Sequence, residues 1–146
     1  MTAPIFVDTN VLIYSLDSGN AAKQTAARQW RQFLWKSGRG RISFQVLQEF
    51  YVNALRIRPA AATETRAEIR DLLDWEPVVM SVATLELAWQ LQNRYQLSFC
   101  DALIVAAAKA AGCAFVLTED LQTGQDLDGV KVLNPFLTEP ASFGGW

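Results

Sequence analysis

The chain opens on an apolar run, Ile5, Phe6 and Val7, which breaks at Asp8, Thr9 and Asn10 and resumes at Val11, Leu12, Ile13 and Tyr14. Strand-forming residues that stop at cap and turn formers and then reopen predict a strand over about 4–8 feeding a helix. Trp30, Phe33 and Leu34 recur at helical spacing within a helix expected over about 22–36, which "SGRG" terminates. "RISF" (41–44) predicts a short strand. Val46, Leu47, Phe50, Tyr51, Ala54 and Leu55 form one face of a helix over 45–57 that Pro59 ends. Thr63 is the expected cap of a helix reaching about Asp74, Pro77 precedes an expected strand "VVM", and Ser81 or Val82 opens a helix through about Tyr95. Ser98 caps an apolar helix over 99–111 with Gly112 as its stop, and "AFVLT" (114–118) and "VKVLN" (130–134) supply the last strands. Strands separated by helices predict an α/β fold, a mainly parallel sheet with helices on both faces.

Bulk properties narrow the picture. The 146 residues suit one domain spanning the chain, and 51% hydrophobic content supplies a core. No apolar stretch is long enough to cross a bilayer, and the N-terminus lacks a basic segment followed by an apolar signal core, so a cytoplasmic location is expected. Cys100 and Cys113 read as small core residues of a reducing compartment. The chain contains no histidine, which excludes Ser-His-Asp, Cys-His and other imidazole schemes and makes a zinc site unfavourable. Hydrolysis would have to use carboxylates, a metal, lysine or water. The net charge of −2 conceals an asymmetry: residues 23–70 hold ten basic side chains against three acids, and the rest holds three against twelve. A basic region beside an acidic one suits a polyanion groove next to a cation site, although arginines on solvated helix faces give the same count.

Four acids stand at strand ends or helix starts: Asp8 after the first strand, Glu49 early in the helix after "RISF", Asp101 in the first turn of the apolar helix, and Asp120 after "AFVLT". In an open α/β sheet, ligands bind beyond the carboxyl ends of the strands, where these acids would face one edge. Each also has a structural role to fill. Asp8 or Thr9 can cap a helix, Ser98-x-x-Asp101 resembles a capping box, Glu49 lies on the polar side of its helix, and Asp120 suits a turn. Together the four would repel one another unless a cation intervened, and oxygen-only ligands suit Mg²⁺ or Mn²⁺.

"FVDTNVLIY", "SFQVLQEFY", "LSFCDALIVAAAKAAGC" and "FVLTEDLQTGQ…GVKVLNPF", in that order over about residues 4–137, resemble the PIN-domain family and, within it, the VapC-type ribonuclease toxins of bacterial toxin–antitoxin pairs. The resemblance implies a three-layer α/β/α sandwich and an Mg²⁺- or Mn²⁺-dependent endoribonuclease that hydrolyses phosphodiester bonds in structured tRNA or rRNA. It also implies a homodimer and a cognate antitoxin protein. It places the catalytic and metal-binding acids at Asp8, Glu49, Asp101 and Asp120, with Asn10 and Thr118 in support, and favours Asp120 over its neighbour Glu119. Thr123 departs from a histidine common in the family, and the tail "ASFGGW" matches nothing in it.

Two rival readings remain on the residues. A phosphoryl-transfer domain with Asp8 as nucleophile would need a second acid where Asn10 stands, or a late lysine for which Lys131 is a poor candidate. A catalytically silent PIN-like protein- or RNA-binding module would be marked by loss of a ligand acid, and all four are present.

Overall fold

The computed structural model describes residues 3–143. The ends of the domain expected over 1–146, residues 1–2 and 144–146 of the tail, lie outside the described residues. In chain order the elements are β1 (Ile5–Val7), α1 (Thr9–Tyr14), α2 (Ala21–Ser37), β2 (Gly40–Arg41), α3 (Phe44–Ile57), α4 (Ala62–Leu72), α5 (Val82–Tyr95), α6 (Phe99–Ala110), β3 (Phe115–Leu117), β4 (Asp126–Leu127) and β5 (Val130–Leu133). A 3-10 turn at Leu73–Trp75 extends α4, and another covers Pro140–Phe143.

The strands form one sheet in the order β2-β1-β3-β5-β4. β1 runs parallel to β2 and β3, and β3 parallel to β5; only β4 is antiparallel. Ile5, Phe6 and Val7 are all fully buried. Successive strand side chains point to opposite faces, so both faces of the sheet are covered, as expected for an α/β/α sandwich. α6 packs on β3 and β5 and carries α5 on its outer side, which explains why Ala102 through Ala108 is buried without a break. Trp30, Phe33 and Leu34 of α2 and Val46, Phe50 and Ala54 of α3 supply much of the remaining core.

Several local expectations shift. Ser43 caps α3 by accepting a hydrogen bond from the Val46 amide at 3.2 Å, so the helix starts at Phe44 and the strand before it shrinks to two residues. The expected strand "VVM" reduces to one bridge between Ser43 and Val78, because Val79 and Met80 turn out to solvent. Thr63 lies inside α4 and does not cap it; Ala61 occupies that position with no side-chain cap. Cys113 is buried, its thiol pushed up to about 12 by desolvation, but Cys100 is exposed on the first turn of α6 and is not a core residue.

The edge of the sheet is tightly backed. A Cβ at Gly40 would lie 2.6 Å from a ring carbon of Trp75, itself buried. Gly40→Ala is therefore expected to cost about 1–3 kcal/mol through forced displacement of the indole, with Trp75→Phe restoring part of it. Urea unfolding of the single and double variants checks this, and a neutral Gly40→Ala would show that the ring moves freely.

Candidate functional site

Asp8 follows β1 directly, and Thr118 follows β3 directly. The two strands are adjacent and in register, Val7 opposite Leu117, so the next residues emerge side by side. From β1 the chain crosses to β2 on one side and β3 lies on the other, which makes this the point where strand order diverges and α/β folds open a crevice. The Asp8 amide donates to Leu117 O at 3.0 Å and anchors the junction.

Asp8 has two jobs at once. Its extended backbone (φ −78°, ψ 158°) makes it the N-cap of α1, with Oδ1 accepting the Thr9 amide at 2.7 Å. Its Oδ2 accepts the Thr118 hydroxyl at 2.8 Å. The side chain is nevertheless buried, and desolvation pushes its pKa from 3.8 up to about 6. The hydrogen bonds from Thr118 and Thr9 oppose that rise, while the charges of Asp120 and Glu49 add to it. Capping alone does not account for a carboxylate held in so unfavourable a position.

The other acids reach this centre through intermediates. The Thr9 hydroxyl donates to Glu49 Oε2 at 2.6 Å, and Gln45, one turn earlier on α3, donates to Glu49 Oε1 at 3.1 Å. Glu49 is half-buried and engaged, so its place on a polar helix side does not leave it in solvent. Asn10 Nδ2 donates to Thr118 Oγ1 at 3.2 Å and to Asp120 Oδ2 at 3.1 Å, while the Asp120 amide donates to Thr118 Oγ1 at 3.1 Å. Asp8, Glu49, Asp120, Asn10 and Thr118 thus belong to one connected network.

Asp101 stands apart from it. Ser98 Oγ accepts the Asp101 amide at 3.1 Å, the capping half of the predicted box, and the Asp101 carboxylate has no hydrogen-bond partner among the described residues. It is also absent from the charges acting on Asp8. Among the described residues, no three His, Cys, Asp or Glu side chains are gathered closely enough to hold a metal ion. The donor chemistry still suits one: the set is oxygen-only, and a cation beside Asp8 would offset both its burial and its two like-charged neighbours.

The basic stretch is less of a groove than its count suggests. Arg28 and Arg31 bind Ser15, Arg39 is buried between Ala3 O and Phe143 O, Arg41 binds Gly38 O and Gly40 O, and Lys23 pairs with Glu119. Arg56, Arg58, Arg66 and Arg70 are exposed at the end of α3 and on α4. At 1.5 Å per residue, Arg58 lies about 13 Å along the helix from Glu49.

A family model for the PIN domain matches residues 5–125. The chain belongs to the PIN domain family. Similar solved structures include a toxin–antitoxin complex from Klebsiella pneumoniae, at 24% identity and TM-score 0.63 over 91% of this chain and 98% of that one. VapC20 of Mycobacterium tuberculosis, a sarcin–ricin loop cleaving toxin, matches at 26% identity and TM-score 0.60 over 77% and 86%. DNA-bound VapBC from Salmonella typhimurium shares the fold at 17% identity and TM-score 0.64 over 92% and 99%. No curated protein sequence matches the chain.

This PIN domain also uses residues that its sequence did not flag. Thr9 links Asp8 to Glu49, and only its position beside Asp8 hinted at it. Gln45 sits four residues before Glu49, a spacing that puts both on one helix face and could have revealed the pair. Tyr14 and Lys23 both bind Glu119, a contact across about a hundred positions that no local pattern encodes. No helix among the described residues is long and apolar enough to cross a membrane.

Proposed function

We propose that this PIN domain is a divalent-metal-dependent endoribonuclease of the VapC toxin type, held in check by an antitoxin protein. The observation that carries the reading is Asp8: a buried carboxylate at the carboxyl end of a central strand, pushed up to about 6, with Glu49 and Asp120 tied around it. Asp8, Glu49 and Asp120 are the residues that would hold the ion, and Asp101 joins them in this proposal on the family resemblance alone. A bound divalent cation supplies hydroxide at neutral pH and neutralises charge on the phosphodiester.

The chain's own groups prepare that chemistry. Thr118 and the Thr9 amide fix both oxygens of Asp8, Asn10 aims Asp120, and Thr9 with Gln45 sets the Glu49 carboxylate. Glu49 either ligates directly or orients a water. The similarity to VapC20 supports a structured RNA substrate, and the similarity to toxin–antitoxin complexes supports an antitoxin partner. A homodimer in solution is part of the same proposal. With four carboxylates and no histidine to serve as proton donor, the leaving oxygen takes its proton from water or from a protonated acid of the pocket.

The direct test incubates antitoxin-free protein with total RNA in Mg²⁺, in Mn²⁺ and in EDTA, beside Asp8→Asn, and sequences the new ends. Discrete cuts that vanish in EDTA, return with metal and are missing in the variant are expected. Cleavage that survives EDTA, or full activity in Asp8→Asn, would remove this mechanism. Folded protein that cuts nothing under any metal would make it a binding module.

A further inference from the structure

The turn after β3 presents two adjacent acids, Glu119 and Asp120, at the edge where Asp8 stands. A hard cation takes carboxylate oxygens with little regard for which residue supplies them. Something must therefore decide which of the two enters the pocket. We propose that Lys23 makes that choice, by drawing Glu119 away from the pocket so that Asp120 alone faces Asp8. The inference rests on the nuclease reading and deepens it.

The two side chains take different partners. Asp120, the more exposed, is tied to the Asp8 network by Asn10 Nδ2 at 3.1 Å and by its own amide on Thr118 Oγ1 at 3.1 Å. Glu119, half-buried, is held outside that network: the Lys23 ammonium pairs with its Oε2, and the Tyr14 hydroxyl donates to its Oε1 at 3.0 Å. Lys23 is itself well seated, its ammonium 4.7 Å from the Tyr14 ring centre and 5.0 Å from that of Phe136. Those two rings pack edge to face at 5.1 Å, and contacts from α1, α2 and the segment after β5 converge on the one ammonium. The side chains of Lys23 and Glu119 are 33% and 27% exposed, so the pair is shielded enough to hold a preferred geometry. Lys23 has no contact with Asp8, Glu49 or Asp120 and is a positioning residue. Without it, Glu119 retains only the Tyr14 hydroxyl and competes for the ion in an arrangement that places water and phosphate wrongly. Misplacement by about 1 Å is enough to cost up to about a hundredfold in rate.

The test uses the full chain in four forms: Lys23→Met, which keeps the apolar stem, Glu119→Gln, the double variant, and Lys23→Arg. RNA cleavage gives kcat and KM, and titration calorimetry gives Mn²⁺ affinity. Lys23→Met is expected to lower kcat about tenfold with KM unchanged and Mn²⁺ binding equal or tighter, while Glu119→Gln stays within about twofold of wild type. The decisive form is the double variant, expected to recover to within about twofold because the competing carboxylate is gone; Lys23→Arg should keep most of the rate. If Lys23→Met fails to fold, Tyr14→Phe removes the other donor to Glu119 and should show a smaller loss, again rescued by Glu119→Gln. A double variant as slow as Lys23→Met overturns the inference. So does a raised KM with a shallower salt dependence, which would make Lys23 a phosphate contact. A wild type that cleaves while Lys23→Met matches it overturns the inference alone. A wild type that neither cleaves RNA nor binds Mn²⁺ overturns the nuclease reading and this inference with it.

Discussion

Asp8→Asn is expected to give a protein that no longer cleaves RNA and yet resists urea better than wild type at pH 7 in EDTA. The folded-state pKa of Asp8 is about 6, above its ordinary value of 3.8, so the native state binds this proton more tightly than the unfolded chain does. As pH rises from about 4 to about 6 the native protein must give up a proton that the unfolded chain has already lost, and stability falls. Above that window the full penalty applies, about 3 kcal/mol for a shift of this size. Asparagine carries no charge and escapes it. Part of the gain is returned, because the new carboxamide would face Thr118 Oγ1, which already accepts from Asn10 and from the Asp120 amide. A net gain of about 1–2 kcal/mol at pH 7.5, gone by about pH 4, where the variant is no more stable than wild type, is the expected outcome. Mn²⁺ should stabilise the wild type and leave the variant almost unchanged. An Asp8→Asn protein that unfolds more easily than wild type at pH 7.5 in EDTA would show that the two hydrogen bonds of Asp8 outweigh its desolvation.

Trp30→Ala should cause the largest loss of stability, about 3–5 kcal/mol, a large share of what a domain of this size possesses. The indole is fully buried, packs edge to face on Phe33 at 5.9 Å and contacts Phe143 at the same separation. Its N–H donates to both Pro135 O at 3.1 Å and Thr138 O at 3.0 Å, tying α2 to the segment that follows β5. Truncation leaves a cavity and two carbonyls without their donor. Trp30→Phe separates the two effects, since it refills most of the volume and should cost about 1–3 kcal/mol for the unpaired carbonyls alone. Urea midpoints at constant slope measure both. A Trp30→Ala cost below about 1 kcal/mol would mean that the segment collapses onto α2 without the indole.

Local chemistry explains which parts of this fold were legible in advance. Ser81 and Ser98 each cap a helix as their sequence context implies, since a serine hydroxyl before an apolar periodic run has one obvious backbone partner, whereas Ser43 caps α3 from within what reads as a strand. Gly112 stops α6 at φ 72°, a conformation that favours glycine. Topology permits Asp8, Glu49, Asp101 and Asp120 to face one edge, and the hydrogen-bond network joins three of them and leaves Asp101 out. The resemblance names Asn10 and Thr118 as supports, but the contacts that they and Thr9 make, across 40 to 110 positions, leave no local pattern to read. The hairpin of β4 and β5 leaves no pattern to read, because two residues, Asp126 and Leu127, are too few to show alternation. The run of basic residues was visible as charge but not as direction, and Arg39, buried against two carbonyls, is the clearest example. Asp101 remains the acid whose placement rests on the family pattern more than on any contact.

The sheet ends on two-residue strands at both sides, β2 and β4, and the second is antiparallel to its neighbour. An edge that short exposes too little backbone for another chain to continue the sheet by β-augmentation. An antitoxin of the kind proposed above would therefore have to recognise this protein through side chains, laying a helix or an extended arm across its faces. Recognition through side chains rather than backbone is what lets an inhibitor tell one domain of this fold from another.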